Sequence, residues 1–225
     1  MKCFNPVGGN CPCCRNTPIK YGKSQNKQRY HCKNCKKTWL AGYTKQAFLH
    51  SVNSEIAAHV KEGCGIRSIA RLLHISATTV ISRIQKIAND IKKPAIMMER
   101  TYEVDELKTY IKSKSNEYWV IYAMDKDSRV VVDLKVGKRN KKNIKRVTDT
   151  LLLADCKLIY TDKLDIYGFV IPKMLHRTRR YGTNHIERKN LTLRTHLKRL
   201  NRKTIAFSKS LLMLEACLKI YFWYT

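Results

Sequence analysis

Apolar and polar residues fall into three successive patterns along this chain, and each predicts different elements. Up to residue 43 there is little helical periodicity, and turn residues and cysteines dominate. Between residues 44 and 97 the apolar positions Ile66, Ile69, Ala70, Leu73, Ile75, Val80, Ile84 and Ile87 recur at helical intervals. They predict a short helix over Gly65–Leu73, a turn at His74-Ile75 and a second helix over Ala77–Ile87 with Ser76 as its N-cap. A supporting helix is expected around Glu55–Glu62, and Pro94 marks a boundary.

From residue 98 strand and helix patterns alternate. Strands are predicted at Thr101–Ile111, Tyr118–Met124, Arg129–Val136 and Lys157–Asp162, with a fifth at Lys173–His176. An amphipathic helix is predicted at Asn143–Leu153 and a long basic helix at Ile186–Arg202. Three antiparallel strands, a helical crossover and a central parallel strand make a ribonuclease H-like α/β domain with a mixed sheet, whose first and fourth strands are neighbours. The chain thus reads as a multidomain α+β protein: a small cysteine-bearing block at 1–43, a helical block at 44–97 and the α/β domain at 98–225.

Charge narrows the partners. With 45 Lys and Arg against 17 Asp and Glu, the formal charge is +28, far beyond what solubility requires. Such a field attracts a polyanion, and released counterions supply much of the affinity. Residues 1–97 hold 17 basic against 3 acidic residues and residues 98–225 hold 28 against 14, so both halves are expected to touch the same nucleic acid. A membrane partner is not expected, because the most apolar stretch, Ser210–Thr225, is interrupted by Glu215 and Lys219. Residues 1–10 lack an apolar signal core, so a cytoplasmic, nucleoid-associated protein is expected.

Six of the nine cysteines lie in the first block. Cys11-x2-Cys14 and Cys32-x2-Cys35, separated by 17 residues, can bring four thiolates to one Zn2+ as a zinc ribbon. Cys13 and Cys3 are alternative ligands. Free thiols instead would leave about forty residues with almost no core. Tyr30 and Trp39 are expected to cap the knuckles. In the helical block, Thr78, Thr79, Ser82 and Arg83 are expected to face outward from the second helix of a helix-turn-helix, toward a DNA major groove. A plain helical hairpin would share the pattern.

Three acids carry the candidate chemistry. Asp105 lies in the first strand of the α/β domain, Asp162 closes the fourth, and Glu187 stands near the start of the last basic helix. Carboxylates so placed suit two Mg2+ (or Mn2+) ions about 3.5–4 Å apart acting on a phosphodiester. Asp105 is the expected shared ligand. Glu106 should point to the opposite face and Glu103 to the same face as Asp105, while Asp165 is expected to cap the following helix. Arg194, two turns beyond Glu187, is placed to hold a phosphate. Arg188 and Lys198 lie on other faces of the helix as DNA contacts.

Together these segments resemble the insertion-sequence-one family of transposases. The resemblance rests on Cys11-Pro12-Cys13-Cys14, on Gln28–Trp39, on the helix-turn-helix, on Val104-Asp105-Glu106 and Thr161-Asp162, on His185–Arg194, and on Phe207-Ser208-Lys209-Ser210. It implies a zinc ribbon and helix-turn-helix that bind the element's terminal inverted repeats as double-stranded DNA. It also implies an Asp-Asp-Glu domain that cuts the ends and joins them to target DNA, as a homo-oligomer on DNA. One departure stands out: Lys163 follows the second acid where the family usually has glycine.

Overall fold

The computed structural model describes residues 10–24, 26–41, 51–201, 204 and 206–225. Cys3 and the end of the predicted Ile186–Arg202 helix lie outside them. The chain divides into two compact units, one of residues 1–56 and 66–83, the other of residues 57–65 and 84–225.

In the first unit β1 (Ile19–Ser24), β2 (Lys27–His31) and β3 (Thr38–Leu40) form an antiparallel sheet in that order. Trp39, in β3, is buried and stacks on its cross-strand partner Tyr30, ring centroids 6.0 Å apart. Three helices follow along the chain: α1 (Val52–Lys61), α2 (Ile66–Leu72) and α3 (Ala77–Asp90). Ile69, Leu73 and Val80 are buried, as their periodicity predicts, and Val52 and Ile56 of α1 are buried too. The Thr79 amide donates to Ser76 Oγ at 3.0 Å, so Ser76 caps α3.

The second unit is built on a five-stranded mixed sheet. Its strands are β4 (Thr101–Ile111), β5 (Ser113–Asp125), β6 (Val131–Gly137), β7 (Leu158–Tyr160) and β8 (His176–Arg177). Their spatial order is β6-β5-β4-β7-β8. The first three pair antiparallel, and β7 and β8 add in parallel, so the first and fourth strands are neighbours. Helix α4 (Lys141–Leu152) makes the crossover that a parallel β4–β7 pair requires.

Side-chain alternation along β4 splits the core in two. Tyr102 and Val104 pack with Ile144, Val147 and Leu151 of α4 and with Tyr167 and Val170 of α5 (Asp165–Val170). Leu107 lies on the other face, in a cluster with Ile186 and Leu193 of α6 (Asn184–His196) and Leu214 and Leu218 of α7 (Leu211–Trp223). The apolar stretch near the C-terminus is therefore a core helix. No helix among the described residues is long and apolar enough to cross a membrane.

Several boundaries depart from the sequence pattern. The β5 strand starts at Ser113 because its polar first residues extend the hairpin with β4, Glu117 standing opposite Tyr110. The β7 strand ends at Tyr160, so Asp162 lies two residues beyond it. The basic helix stops at His196, and a 3-10 turn over Lys198–Leu200 follows, with Leu197 and Leu200 buried. Asp165 does not cap α5: the N-cap is Leu164 with no side-chain bond, and Asp162 Oδ1 accepts the Leu164 amide at 3.0 Å instead.

Candidate active site and cysteine cluster

Strand β4 outruns its parallel neighbour. Its pairing with β7 covers only Thr101 to Glu103, so among the described residues this edge of β4 is unpaired from Val104 until Ile111, which bridges Ser208. Asp105 and Glu106 stand there on opposite faces, and the chain leaving β7 brings Asp162 alongside. A ligand oxygen from each of Asp105, Glu106 and Asp162 lies within 4.8 Å of the other two. Ligands of parallel sheets gather at such carboxyl ends. Glu106 does have the α5-side orientation that alternation predicts, next to Tyr167. Its carboxyl nevertheless joins the group, because no strand separates the two faces at this edge.

Hydrogen bonds fix the aspartates. The Glu106 amide donates to Asp105 Oδ1 and Asn190 Nδ2 to Asp105 Oδ2, both at 2.7 Å. The Tyr122 hydroxyl donates to Asn190 Oδ1 at 2.8 Å and to the Ile186 carbonyl at 3.2 Å. Beside Asp162, the Thr161 hydroxyl donates to the Asp162 carbonyl at 2.8 Å and lies 2.7 Å from His176 Nε2.

Crowding shows in the proton affinities. Burial first, then the charges of Asp162 and Glu187, pushes Asp105 up to about 6. Burial likewise leads for Glu106, with Asp162 and Asp105 adding to it, and raises it to about 7.

Glu187 is positioned through its helix. Glu103, fully buried, accepts the Ile186 amide at 2.8 Å and His185 Nδ1 at 2.7 Å, and pairs with Lys126 at 3.1 Å. The start of α6 is thus fastened to β4. The Thr183 hydroxyl donates to Glu187 Oε1 at 2.7 Å. Glu187 lies outside the tight carboxylate group but opens on the same groove of about 820 Å3, lined by Asp105, Glu106, Asn190 and Arg194. Arg194 also donates to the Leu200 carbonyl at 3.0 Å, bracing the turn after α6.

The remaining predicted residues are placed as follows. Arg188, Lys198 and Lys163 are exposed. On α3, Thr78 and Ser82 are exposed, whereas the Thr79 hydroxyl bonds Ser76 Oγ at 2.8 Å and Arg83 reaches Asn53 Oδ1 of α1 at 3.4 Å. Sequence reasoning did not assign Asn190, Tyr122 or Thr183 their roles. Two signals were present: Asn190 follows Glu187 by one turn, and Tyr122 stands directly across from Asp105 in the β4–β5 register.

In the first unit, Cys11, Cys14, Cys32 and Cys35 bring their sulfurs within 4.8 Å of one another. Cys11 and Cys35 Sγ are 3.4 Å apart, and Cys14 and Cys32 Sγ 3.3 Å. The Asn16 amide, with Cys32 next, lowers the Cys14 thiol to about 6. Four soft donors so grouped fit one tetrahedral Zn2+. Cys13 is exposed and outside the group.

The sequence model of the IS1 transposase family matches residues 99–223, more than half of the chain. The chain is 36% identical over 108 residues to the insertion element iso-IS1n protein InsB of Shigella dysenteriae, covering 48% of this chain and 82% of that protein. It is 37% identical over 108 residues to the insertion element IS1 protein InsB of Shigella flexneri, with the same two coverages of 48% and 82%. The integrase catalytic core domain of HTLV-2, solved in complex with magnesium, is similar over 57% of this chain and 86% of its own, at 16% identity and a TM-score of 0.37, a likeness too loose to argue from. On the family match and these relatives, the chain belongs to the IS1 transposase family.

Proposed function

We propose that this transposase binds the terminal inverted repeats of its element, cleaves the ends and joins them to target DNA through two-metal phosphoryl transfer. The observation that carries this reading is the meeting of Asp105 and Asp162 at the open edge of β4, with Glu187 facing the same groove. Grouped hard oxygens suit Mg2+ or Mn2+, and Asp105, Asp162 and Glu187 would hold the ions. When bound, the two ions supply Lewis-acid activation of the attacking and leaving oxygens.

The chain's own residues set the geometry. Asn190 holds one oxygen of Asp105, leaving the orientation of the carboxylate fixed before substrate arrives. Glu103 fastens the α6 N-terminus to the strand that bears Asp105, so Glu187 and Asp105 keep their separation. Arg194, on the groove wall, offers a cation to a phosphate. Water attacks phosphorus at the element end, the bond to the leaving oxygen breaks, and a 3′-hydroxyl is released. That hydroxyl then attacks a target phosphodiester, which loses its own 3′ oxygen in turn. The first step consumes one water and one phosphodiester bond; the second forms one phosphodiester as it breaks another and leaves a free 3′-hydroxyl on the target.

Recognition belongs to the preceding blocks in this reading. Cys11, Cys14, Cys32 and Cys35 hold Zn2+ and make residues 1–43 a zinc ribbon; residues 44–97 are a helix-turn-helix; residues 98–225 are the ribonuclease H-like catalytic domain. The protein acts as a homo-oligomer on double-stranded DNA. The test is a strand-transfer assay with labelled element ends, target DNA and Mg2+. Joined products that vanish with a chelator support the proposal. Tight end binding with no cutting in Mg2+ or Mn2+ would leave a repressor instead.

A further inference from the structure

One carboxylate of the cluster has no part in the Asp105–Asp162–Glu187 set. Glu106 is 8% exposed, and its Oε1 is buried without a hydrogen-bond partner. An unpartnered buried carboxylate oxygen is costly unless something unseen in the protein's own atoms satisfies it. The Tyr167 hydroxyl, also without a partner at full hydrogen-bond geometry, sits beside the Glu106 carboxyl on the α5 side and is its hydrogen-bonding neighbour there. A ligand oxygen of Glu106 nonetheless stands within 4.8 Å of oxygens from both Asp105 and Asp162, which Glu187 does not. The reason is topological: β7 has ended, and the two faces of β4 meet around its open edge.

We propose that Glu106 is a further metal ligand, binding the same divalent cation as Asp105 and Asp162. The proposal rests on the two-metal reading above. It divides the four acids by position: Asp105, Glu106 and Asp162 form one oxygen set, and Glu187 reaches the groove from α6. Mg2+ and Mn2+ accept up to six oxygens, so a third carboxylate on one ion is within their coordination number.

A merely structural Glu106, serving Tyr167 alone, would behave differently on substitution. Glu106→Gln keeps the shape and removes the charge. The test is titration of the full chain with Mn2+ alone, followed by calorimetry or electron paramagnetic resonance, beside thermal melts of the ion-free proteins. Glu106→Gln should lower Mn2+ affinity at least about tenfold, as should Asp162→Asn, while the ion-free melting temperature stays level or rises. Glu106→Asp, which keeps the charge on a shorter arm, should recover part of the affinity. Mn2+ affinity within twofold of the original, with Asp105→Asn abolishing binding, would overturn the ligand role and leave the catalytic reading standing. If Asp105→Asn also binds Mn2+ normally, both fall.

Discussion

Asn190 Nδ2 donates to Asp105 Oδ2 at 2.7 Å, joining α6 to β4 three residues beyond Glu187. The same amide accepts from the Tyr122 hydroxyl, directly across the sheet from Asp105. Strand, helix and neighbouring strand are thereby tied at one carboxylate. The arrangement explains how acids that are 82 residues apart in sequence, Asp105 and Glu187, keep one geometry.

Asn190→Ala should therefore impair chemistry more than binding. A preorganised ligand lost to rotation costs about ten- to a hundredfold in cleavage rate, and the fold should lose roughly 1 kcal/mol as the Tyr122 hydroxyl keeps only the Ile186 carbonyl. Cleavage kinetics and denaturant melts measure the two effects separately. Unchanged cleavage would remove Asn190 from the site.

Stability without metal should depend on pH with a definite sign. Asp105 near 6 and Glu106 near 7 bind protons more tightly folded than unfolded. From about pH 4 to pH 7 the native state thus holds more protons, and these groups' contribution to stability falls as pH rises. Saturating Mn2+ binds the ionised carboxylates and offsets the cost of burying their charge, so its thermal shift should be larger at about pH 7.5 than at about pH 5.5. A shift independent of pH contradicts the crowding.

The cysteine cluster should carry one zinc per chain. Metal analysis of pure protein and absorption spectra of a cobalt-substituted form test this. Cys14→Ser and Cys32→Ser should each lose the metal and open residues 10–41 to protease, because a small β-sheet with one buried tryptophan has little core of its own. Cys13→Ser should retain it, since Cys13 stands outside the group.

Recognition is expected from the exposed residues of α3. Thr78→Ala and Ser82→Ala should weaken binding to terminal repeats by about tenfold and to random DNA far less, as base-edge contacts do. Lys198→Ala should weaken both equally and flatten the salt dependence. Arg83 is held by Asn53, so Arg83→Ala should also lower the stability of the helical block.

Much of this was legible in the sequence, for identifiable reasons. The β-branched and aromatic content of Thr101–Ile111 gave β4 its observed bounds, and the knuckle spacing singled out the four grouped cysteines. What the sequence hid depends on tertiary context. The polar start of β5 is a strand only because β4 pairs with it. The basic run after His196 looks helical, yet burial of Leu200 and the bond from Arg194 to its carbonyl turn the chain. Alternation puts Glu106 on the far face, and only the early end of β7 returns its carboxyl to Asp105.

The central claim is that Asp105, Asp162 and Glu187 perform phosphoryl transfer. The most direct measurement is strand cleavage and joining on element ends by Asp105→Asn, Asp162→Asn and Glu187→Gln, each compared with the unaltered protein in Mg2+. Every substitution keeps the shape and removes one negative ligand, so products should fall by orders of magnitude while binding to the ends persists. Transposition that survives all three substitutions would contradict the account.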